Sequence, residues 1–417
     1  MSNTMKEIDA LISEFSRTTE EIFSLKEFKE KLKAKKQLII KYGVDVTAPF
    51  LHLGHAVNLW MMRRLQEEGH KVIFLIGDFT TRIGDPTGRS DTRPVIPEEE
   101  IEKNAQEFIK QVSTILITDD PEVFEIRRNS EWFSKMSTAE FISLLSTVTH
   151  SRLISRDMFQ KRIEEGKEIY MHELIYPILQ GYDSVMLKSD LTIVGTDQLF
   201  NEMMGRFFQE KFGQEPQVII TTKITPGLDG KFKQSKSLGN YVAITDSPRD
   251  KFGKIMSLPD NLIIQWMEVY TTIPLDKIEE YKVKMSRGEI NPRDVKLELA
   301  RAIVERYHGR EIAEKEKEWF LETFSKKEFP HDAPVIKIPE GEHTLLHILK
   351  VIKPEKSNSE LRRLILQGGV RINGKKITDF KYTVYCKEGE EFYLKLGKKE
   401  FYRIVIIAHE KRSVGNE

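Results

Sequence analysis

Residues 52–55 read His-Leu-Gly-His, two imidazoles three positions apart around a glycine. Pro49 stands just before them, and Val57, Trp60, Met61 and Leu65 fall on one helical face just after. Such a pair could ligate a metal, sit in a core, or meet a phosphate at a helix start. The metal reading needs a third ligand, and none is evident nearby. The HExxH pattern is absent, and Pro49 with Gly54 sets His52 ahead of the helix. The core reading conflicts with a strand-to-helix turn, where side chains face the end of a sheet and open α/β folds hold ligands. The phosphate reading has a mechanism. Helix N-termini expose unpaired N–H groups and positive partial charge, Gly54 permits close backbone approach, and imidazoles add donors.

A phosphate site needs a second wall. Residues 227–240, GLDGKFKQSKSLGN, gather Lys231, Lys233 and Lys236 around Ser235 and Ser237, with glycines on both sides. A flexible loop carrying ammonium and hydroxyl groups can grip a polyphosphate and move during catalysis. Taken alone, it also fits an ordinary basic surface loop. The pattern GxxxxGK[ST] is absent, which argues against a P-loop nucleoside triphosphatase. A third constellation is Tyr176, Gln180 and Asp183, spaced i, i+4, i+7 on one face of an otherwise apolar helical stretch.

These side chains need a frame. Leu38-Ile39-Ile40 reads as a buried strand running to Gly43, residues 72–76 as another, and a helix lies between them. Strand, helix, strand is the unit of a parallel α/β sheet. Strand signals return at 191–195 and 217–221, after residues 97–180 that read mostly as helices. The stripe Ile8, Leu11, Ile12, Phe15 predicts a helical segment over 1–35. Residues 249–327 read as helical again, the three-proline stretch 329–342 as a linker, and the remainder as two helices with short strands.

Composition narrows the class. The 417 residues allow two to four domains, and 39% apolar content suits a globular chain. No stretch approaches ~20 apolar residues, and the polar, acid-bearing N-terminus is unlike a secretory signal. The single cysteine, Cys386, excludes an internal disulfide framework and a cysteine-rich zinc site. A cytoplasmic protein without membrane contact is the expectation. With 65 basic and 65 acidic residues the net charge is zero, so nucleic-acid binding would rest on local charge. Residues 349–376 supply it, with Lys and Arg far in excess of two Glu.

Together these residues resemble a class I aminoacyl-tRNA synthetase. HLGH (52–55) is similar to that class's HIGH signature and KQSKS (233–237) to its KMSKS signature. Within the class, YGVDVTAPFLHLGH, GDFTTRIGDPTGRSDTR, YPILQGYD and VGTDQLFN resemble, in order, the blocks of bacterial-type tyrosyl-tRNA synthetases. SNSELRRLILQGGVRINGKKI resembles the S-four-type RNA-binding domain that ends this family. The resemblance implies a Rossmann-like α/β catalytic domain over 36–245 with a helical insertion at about 97–180. An α-helical domain over 246–328 and a small α+β S-four-type domain over 343–417 would follow.

The resemblance also implies roles. Thr47 and His52 would meet the terminal phosphates of ATP, and His55 and Asn58 would lie near the ribose beside Gly54. Lys233, Lys236 and Ser237 would clamp the departing pyrophosphate, with Arg89 and Arg93 holding the phosphate side. Gly195 and Asp197 would bind the adenosine ribose, and Asp45 and Gln198 would sit beside the aminoacyl carboxyl. Asp85, Tyr176 and Gln180 would hold the α-ammonium of L-tyrosine. Asp183 would accept from its phenol, supported by Asn129. Members of the better-known branch carry a tyrosine two residues before the strand-end glycine. Lys41 stands there in this sequence, as in the family's other bacterial branch, and Tyr42 alternates to the opposite strand face.

For the RNA half, Arg362, Arg363, Arg371, Lys375 and Lys376 would contact tRNA(Tyr) phosphates. Mg2+ would come with the ATP phosphates. The family is dimeric, and Phe141, Leu144, Leu145 and Val148 within 130–165 would form the homodimer interface, unless they pack internally. Three other functions compete. A tryptophan-tRNA ligase shares fold and signatures but usually lacks the C-terminal domain and the YxxxQxxD face. A small-molecule nucleotidyltransferase with the HxGH turn would not need KQSKS or an RNA domain. A non-catalytic RNA-binding protein would not need both signatures intact.

Overall fold

The computed structural model describes residues 4–34, 36–47, 50–85, 96–325, 333–397 and 400–408, so Arg89 and Arg93 lie outside the described residues. Two compact units divide the chain, Met1–Glu314 and Lys315–Glu417. In the first, six strands form one sheet: β1 (Thr19–Phe23), β2 (Ile39–Val44), β3 (Lys71–Ile76), β4 (Phe124–Arg128), β5 (Leu191–Gly195) and β6 (Val218–Thr222). Their order is β1-β6-β5-β2-β3-β4. Strands β2 to β6 run parallel, and β1 closes one edge antiparallel to β6. The chain leaves β2 toward β3 and β4, then returns to β5 on the other side of β2. That reversal is the switch point at which open parallel sheets form a crevice.

The inner strands explain themselves. Every residue of β6 is buried, and β3 is buried after its first residue. Continuous apolar runs are what a sheet covered on both faces requires. The helix Leu53–Glu67 connects β2 to β3, and the helices Met171–Leu187 and Leu199–Lys211 bracket β5 in sequence. The last two pack tightly against each other. A Cβ at Gly205 would stand 2.6 Å from the Ser184 hydroxyl, so only glycine allows this approach.

Two expectations need correction. Residues 1–35 are not helical throughout: β1 lies between the helices Met5–Ser16 and Leu25–Ala34. The stretch 97–180 is not purely helical either, because β4 pairs with β3. Both are edge strands, and TEEIF and FEIRR carry charges that hide the apolar run of an inner strand.

The helices Pro248–Met256, Ile263–Tyr270, Leu275–Ser286 and Pro292–His308 belong to the first compact unit together with the sheet. In the second unit, the expected linker contains structure. Val335–Pro339 (β7) pairs in parallel with Glu400–Ile407, and Gly341–Thr344 (β8) pairs with Thr383–Cys386. Alternating prolines and apolar residues concealed these strands. A five-stranded sheet and the helices Leu345–Ile352 and Asn358–Leu366 enclose a core that includes Leu345, Ile348, Leu361, Ile365, Leu394 and Ile404. The Val370–Ile372 and Lys375–Ile377 strands meet at Asn373-Gly374, both at positive φ, the backbone that a two-residue hairpin turn demands.

Candidate active site

A cavity of about 530 Å³ opens at the carboxyl ends of the parallel strands. Its wall takes Asp45 and Thr47 from the end of β2, Gly77 and Thr80 from β3, Asn129 from β4, Gly195 and Asp197 from β5, and Thr222 and Lys223 from β6. The histidine turn and the lysine loop, far apart in sequence, line this same space through His52, Gly54, His55, Asn58, Lys233, Ser235 and Lys236. Backbone bonds stitch them together: Leu53 N–H donates to Val242 O at 3.0 Å, and Ile244 N–H to Leu51 O at 3.1 Å. The root of the loop is therefore fixed to the histidine turn, while Lys233 and Lys236 stay exposed.

The turn is built as a helix cap. His52 Nδ1 accepts from Gly54 N–H at 3.1 Å, and His55 Nδ1 accepts from His52 N–H at 3.2 Å. A Cβ on Gly54 would stand 2.9 Å from the His52 ring, so glycine is required for this cap. With each Nδ1 accepting, each ring carries its proton on Nε2 and is a donor there. Burial, the neighbouring His55 and Lys233 lower the His52 pKa to about 2. Burial lowers that of His55 to about 4, against Asp197. The rings lie 3.9 Å apart between centroids, so two neutral donors, not two cations, occupy the helix start.

The lysine loop is held at its base and open at its tip. Asn240 accepts from Ser235 N–H at 2.8 Å and donates to the carbonyls of Phe232 and Lys233. Gln234 points inward, donating to Tyr270 OH at 2.9 Å and accepting from Val242 N–H at 3.1 Å. Lys233 Nζ lies 3.1 Å from Asp197, and Lys236 Nζ stands 5.6 Å over the Phe50 ring. Ser237 is the exception among the expected clamp residues. It is exposed, its hydroxyl 2.8 Å from that of Ser235, and it is not part of the cavity wall.

The opposite end of the cavity is closed and polar. Asp183 is 4% exposed and accepts from Trp132 Nε1–H at 3.0 Å and Asn129 Nδ2–H at 3.4 Å. Burial pushes its carboxyl up to about 8, against the pull of the Lys41 ammonium and these two donors. Tyr176 OH donates to Asp45 at 3.0 Å, which also accepts from Thr80 Oγ1 at 2.9 Å. Gln198 donates to Asp85 at 2.8 Å. Asn201 donates to the Gln180 carbonyl at 2.8 Å. Asn58 accepts from Thr222 Oγ1 at 2.8 Å. Tyr176, Gln180 and Asp183 all line the cavity, as their helical spacing implies.

Several wall residues carried no sequence signal. Glu202 is 2% exposed, and its carboxylate forms a 2.8 Å ion pair with Lys41. Lys41 also donates to Ser184 at 2.9 Å. Only the Lys41 departure hinted at a buried counter-charge. Tyr270, also on the wall, was equally silent. In the second unit, Arg362, Arg363, Arg371, Lys375 and Lys376 are all exposed. Arg371 faces Lys376 on one neighbouring strand and Lys395 on the other. Like charges directly opposite are unfavourable unless an anion joins them, and Lys395 was not anticipated. The stripe Phe141, Leu144, Leu145 and Val148 packs against internal apolar clusters.

Residues 33–325 match the family model described as tRNA synthetases class I (W and Y). Residues 325–404 match the model of the tyrosine–tRNA ligase SYY-like C-terminal domain. The tyrosine–tRNA ligase of Thermotoga maritima is 47% identical over 388 residues, which cover 93% of this chain and 95% of that one. The tyrosine–tRNA ligase of Aquifex aeolicus is 46% identical, covering 93% and 96%. A C-terminally truncated mitochondrial tyrosyl-tRNA synthetase of Aspergillus nidulans has a TM-score of 0.61 at 20% identity, covering 76% of this chain and 97% of that one. The tyrosyl-tRNA synthetase of Archaeoglobus fulgidus, solved with L-tyrosine, reaches 0.56 at 23% identity, covering 74% and 99%. At these identities the two structures speak for the fold. With one family model on the sheet and its helices, a second on the C-terminal unit, and relatives matched nearly end to end, the chain belongs to the class I tyrosyl-tRNA synthetase family.

Proposed function

We propose that the chain is a tyrosine–tRNA ligase. It activates L-tyrosine with ATP to tyrosyl-adenylate and pyrophosphate, then transfers the tyrosyl group to the 3′ end of tRNA(Tyr). One observation carries the reading. A single cavity has a buried carboxylate acceptor at its closed end and paired imidazole donors with exposed lysines at its open end. A phenol and a triphosphate fit those two ends.

Activation needs no dedicated base. A tyrosine carboxylate oxygen attacks the α-phosphorus, the new O–P bond forms, and the bond to the β-phosphate oxygen breaks. The protein must hold the groups in line and neutralise growing charge on the phosphates. In our reading His52 and His55 donate through Nε2–H, and Thr47 lies beside them. Lys233 and Lys236 approach the leaving pyrophosphate, with Lys233 leaving Asp197 for it. Asp197 and Gly195 then meet the ribose. Asp85, Tyr176 and Gln180 receive the α-ammonium, Asp45 and Gln198 lie near the carboxyl, and Asp183 accepts from the phenol. Among the described residues no three His, Cys, Asp or Glu are grouped to hold a metal. In our reading Mg2+ is held mainly by the ATP phosphates and offsets their charge.

We further read the exposed Arg371, Lys376 and their neighbours as the tRNA phosphate contacts, and the protein as a cytoplasmic homodimer. Among the described residues no helix is long and apolar enough to cross a membrane. ATP–pyrophosphate exchange with each of the twenty amino acids is the direct test. Exchange dependent on tyrosine supports the reading, and exchange dependent on tryptophan alone replaces it.

A further inference from the structure

Glu202 sits at the centre of a buried network that no sequence motif marks. One carboxylate oxygen accepts from Gln180 Nε2–H at 3.0 Å. The other lies 2.8 Å from Lys41 Nζ and accepts from Gln217 Nε2–H at 2.8 Å. Three elements therefore meet at one side chain: β2 through Lys41, the helix Met171–Leu187 through Gln180, and Gln217 just ahead of β6. The close approach of the two helices at Gly205 makes this reach possible.

The two cavity-lining partners belong to opposite ends of the amino-acid site. Lys41 exerts its positive field on Asp183, where the phenol would lie. Gln180 belongs to the group assigned to the ammonium. A carboxylate paired with an ammonium can only accept hydrogen bonds. Gln180 must then present its N–H to Glu202, which together with the Asn201 amide donating to its carbonyl fixes the amide orientation and leaves that carbonyl a second lone pair for a cation. The same carboxylate balances the charge of Lys41, which a phenol-binding pocket could not otherwise bury.

We propose that Glu202 is a positioning residue that holds both ends of the tyrosine subsite at once, through Lys41 and through Gln180. This rests on the function proposed above. Glu202→Gln keeps the shape but can donate as well as accept, so Gln180 loses its obligatory acceptor and only Asn201 still holds its orientation. Lys41 also loses its counter-charge.

The experiment is ATP–pyrophosphate exchange on the full-length chain, with tyrosine and ATP varied separately, alongside thermal denaturation. E202Q should raise the KM for tyrosine by about 10- to 100-fold with the KM for ATP changed less than about twofold. The double variant Lys41→Met with Glu202→Gln removes both charges, so it tests the idea even where E202Q alone folds poorly. A purely structural ion pair predicts that the double variant recovers both melting temperature and tyrosine KM. The positioning role predicts recovery of melting temperature with tyrosine KM still raised. Recovery of both, or equal effects on tyrosine and ATP, overturns the proposal. Wild-type protein that shows no tyrosine-dependent exchange sinks the functional reading, and this inference with it; wild-type exchange with unselective variants sinks this inference alone.

Discussion

The two ends of the cavity are built on opposite principles. At the amino-acid end, Lys41, Asp183 and Glu202 are each at most 4% exposed, and each is tied to neighbours on more than one element. At the phosphate end, the Lys233 side chain is 60% exposed, and the loop that bears it is hydrogen-bonded at its base. Buried polar groups are costly to leave unpaired, so the closed end can reject a ligand that lacks the matching group. Exposed lysines cost little to move, so the open end can follow a phosphate as its charge grows. Selection and motion are thus separated along one cavity.

The sharpest way to break this contrast is at Asp183. Asp183→Ala should lower kcat/KM for tyrosine by roughly 10³-fold, because the buried partner of the phenol is lost. The KM for ATP should stay near wild type. Equal damage to both substrates would mean that the two ends are one undivided site. At the other end, His55→Ala should slow adenylate formation by about 10²–10³-fold, the usual effect of removing one donor to the transition state. Single-turnover measurement at saturating tyrosine reads this directly. A variant that melts early but forms adenylate at the normal rate would assign His55 to folding alone.

Deleting residues 326–417 sharpens the contrast by removing a third region. The cut must precede β7, because Val335–Pro339 pairs with Glu400–Ile407. Affinity for tRNA should fall at least about tenfold, and its salt dependence should weaken. Exchange should continue, since every described cavity residue lies before residue 314. Unchanged tRNA binding would remove the C-terminal unit from the RNA interface.

The smallest effects concern pH. Asp183 holds its proton up to about 8 in the folded chain, against an ordinary value of 3.8. The stability it contributes is complete below 3.8 and is lost as pH rises through about 8. Phenol binding wants the carboxylate, so the KM for tyrosine should fall as pH rises from about 6 to 8. The histidines have the opposite sign. Their values fall from 6.5 to about 2 and about 4, so their stabilising contribution is full above 6.5 and is lost as pH drops toward 4. A melting temperature that declines from pH 6.5 to 4, and less steeply in a His52→Gln, His55→Gln variant, is the expected record.

Local features were legible in advance. The helix that opens at the histidine turn and the inner strands β2, β3, β5 and β6 each announced themselves within a few residues. The helical face of Tyr176, Gln180 and Asp183 did so too, because 3.6-residue periodicity keeps i, i+4 and i+7 together. The edge strands β1 and β4 were not legible, because charged residues interrupt the apolar run of TEEIF and FEIRR. The strands inside the expected linker were hidden by prolines. Ser237 shares a motif with Lys236 yet does not line the cavity, since neighbouring loop residues need not share a face.

Residue identity and spacing therefore determined which chemistry the chain could host: imidazoles at a helix start, lysines on a glycine-flanked loop, and a polar helical face. Tertiary structure alone decided which of these groups share a space and what charge surrounds them. Lys41 reads as an isolated cation in a strand until Ser184, 143 positions away, and Glu202 close around it. The reason is physical. A side chain's pairing, protonation and orientation depend on neighbours within a few ångströms, and the parallel sheet brings those neighbours from distant parts of the chain.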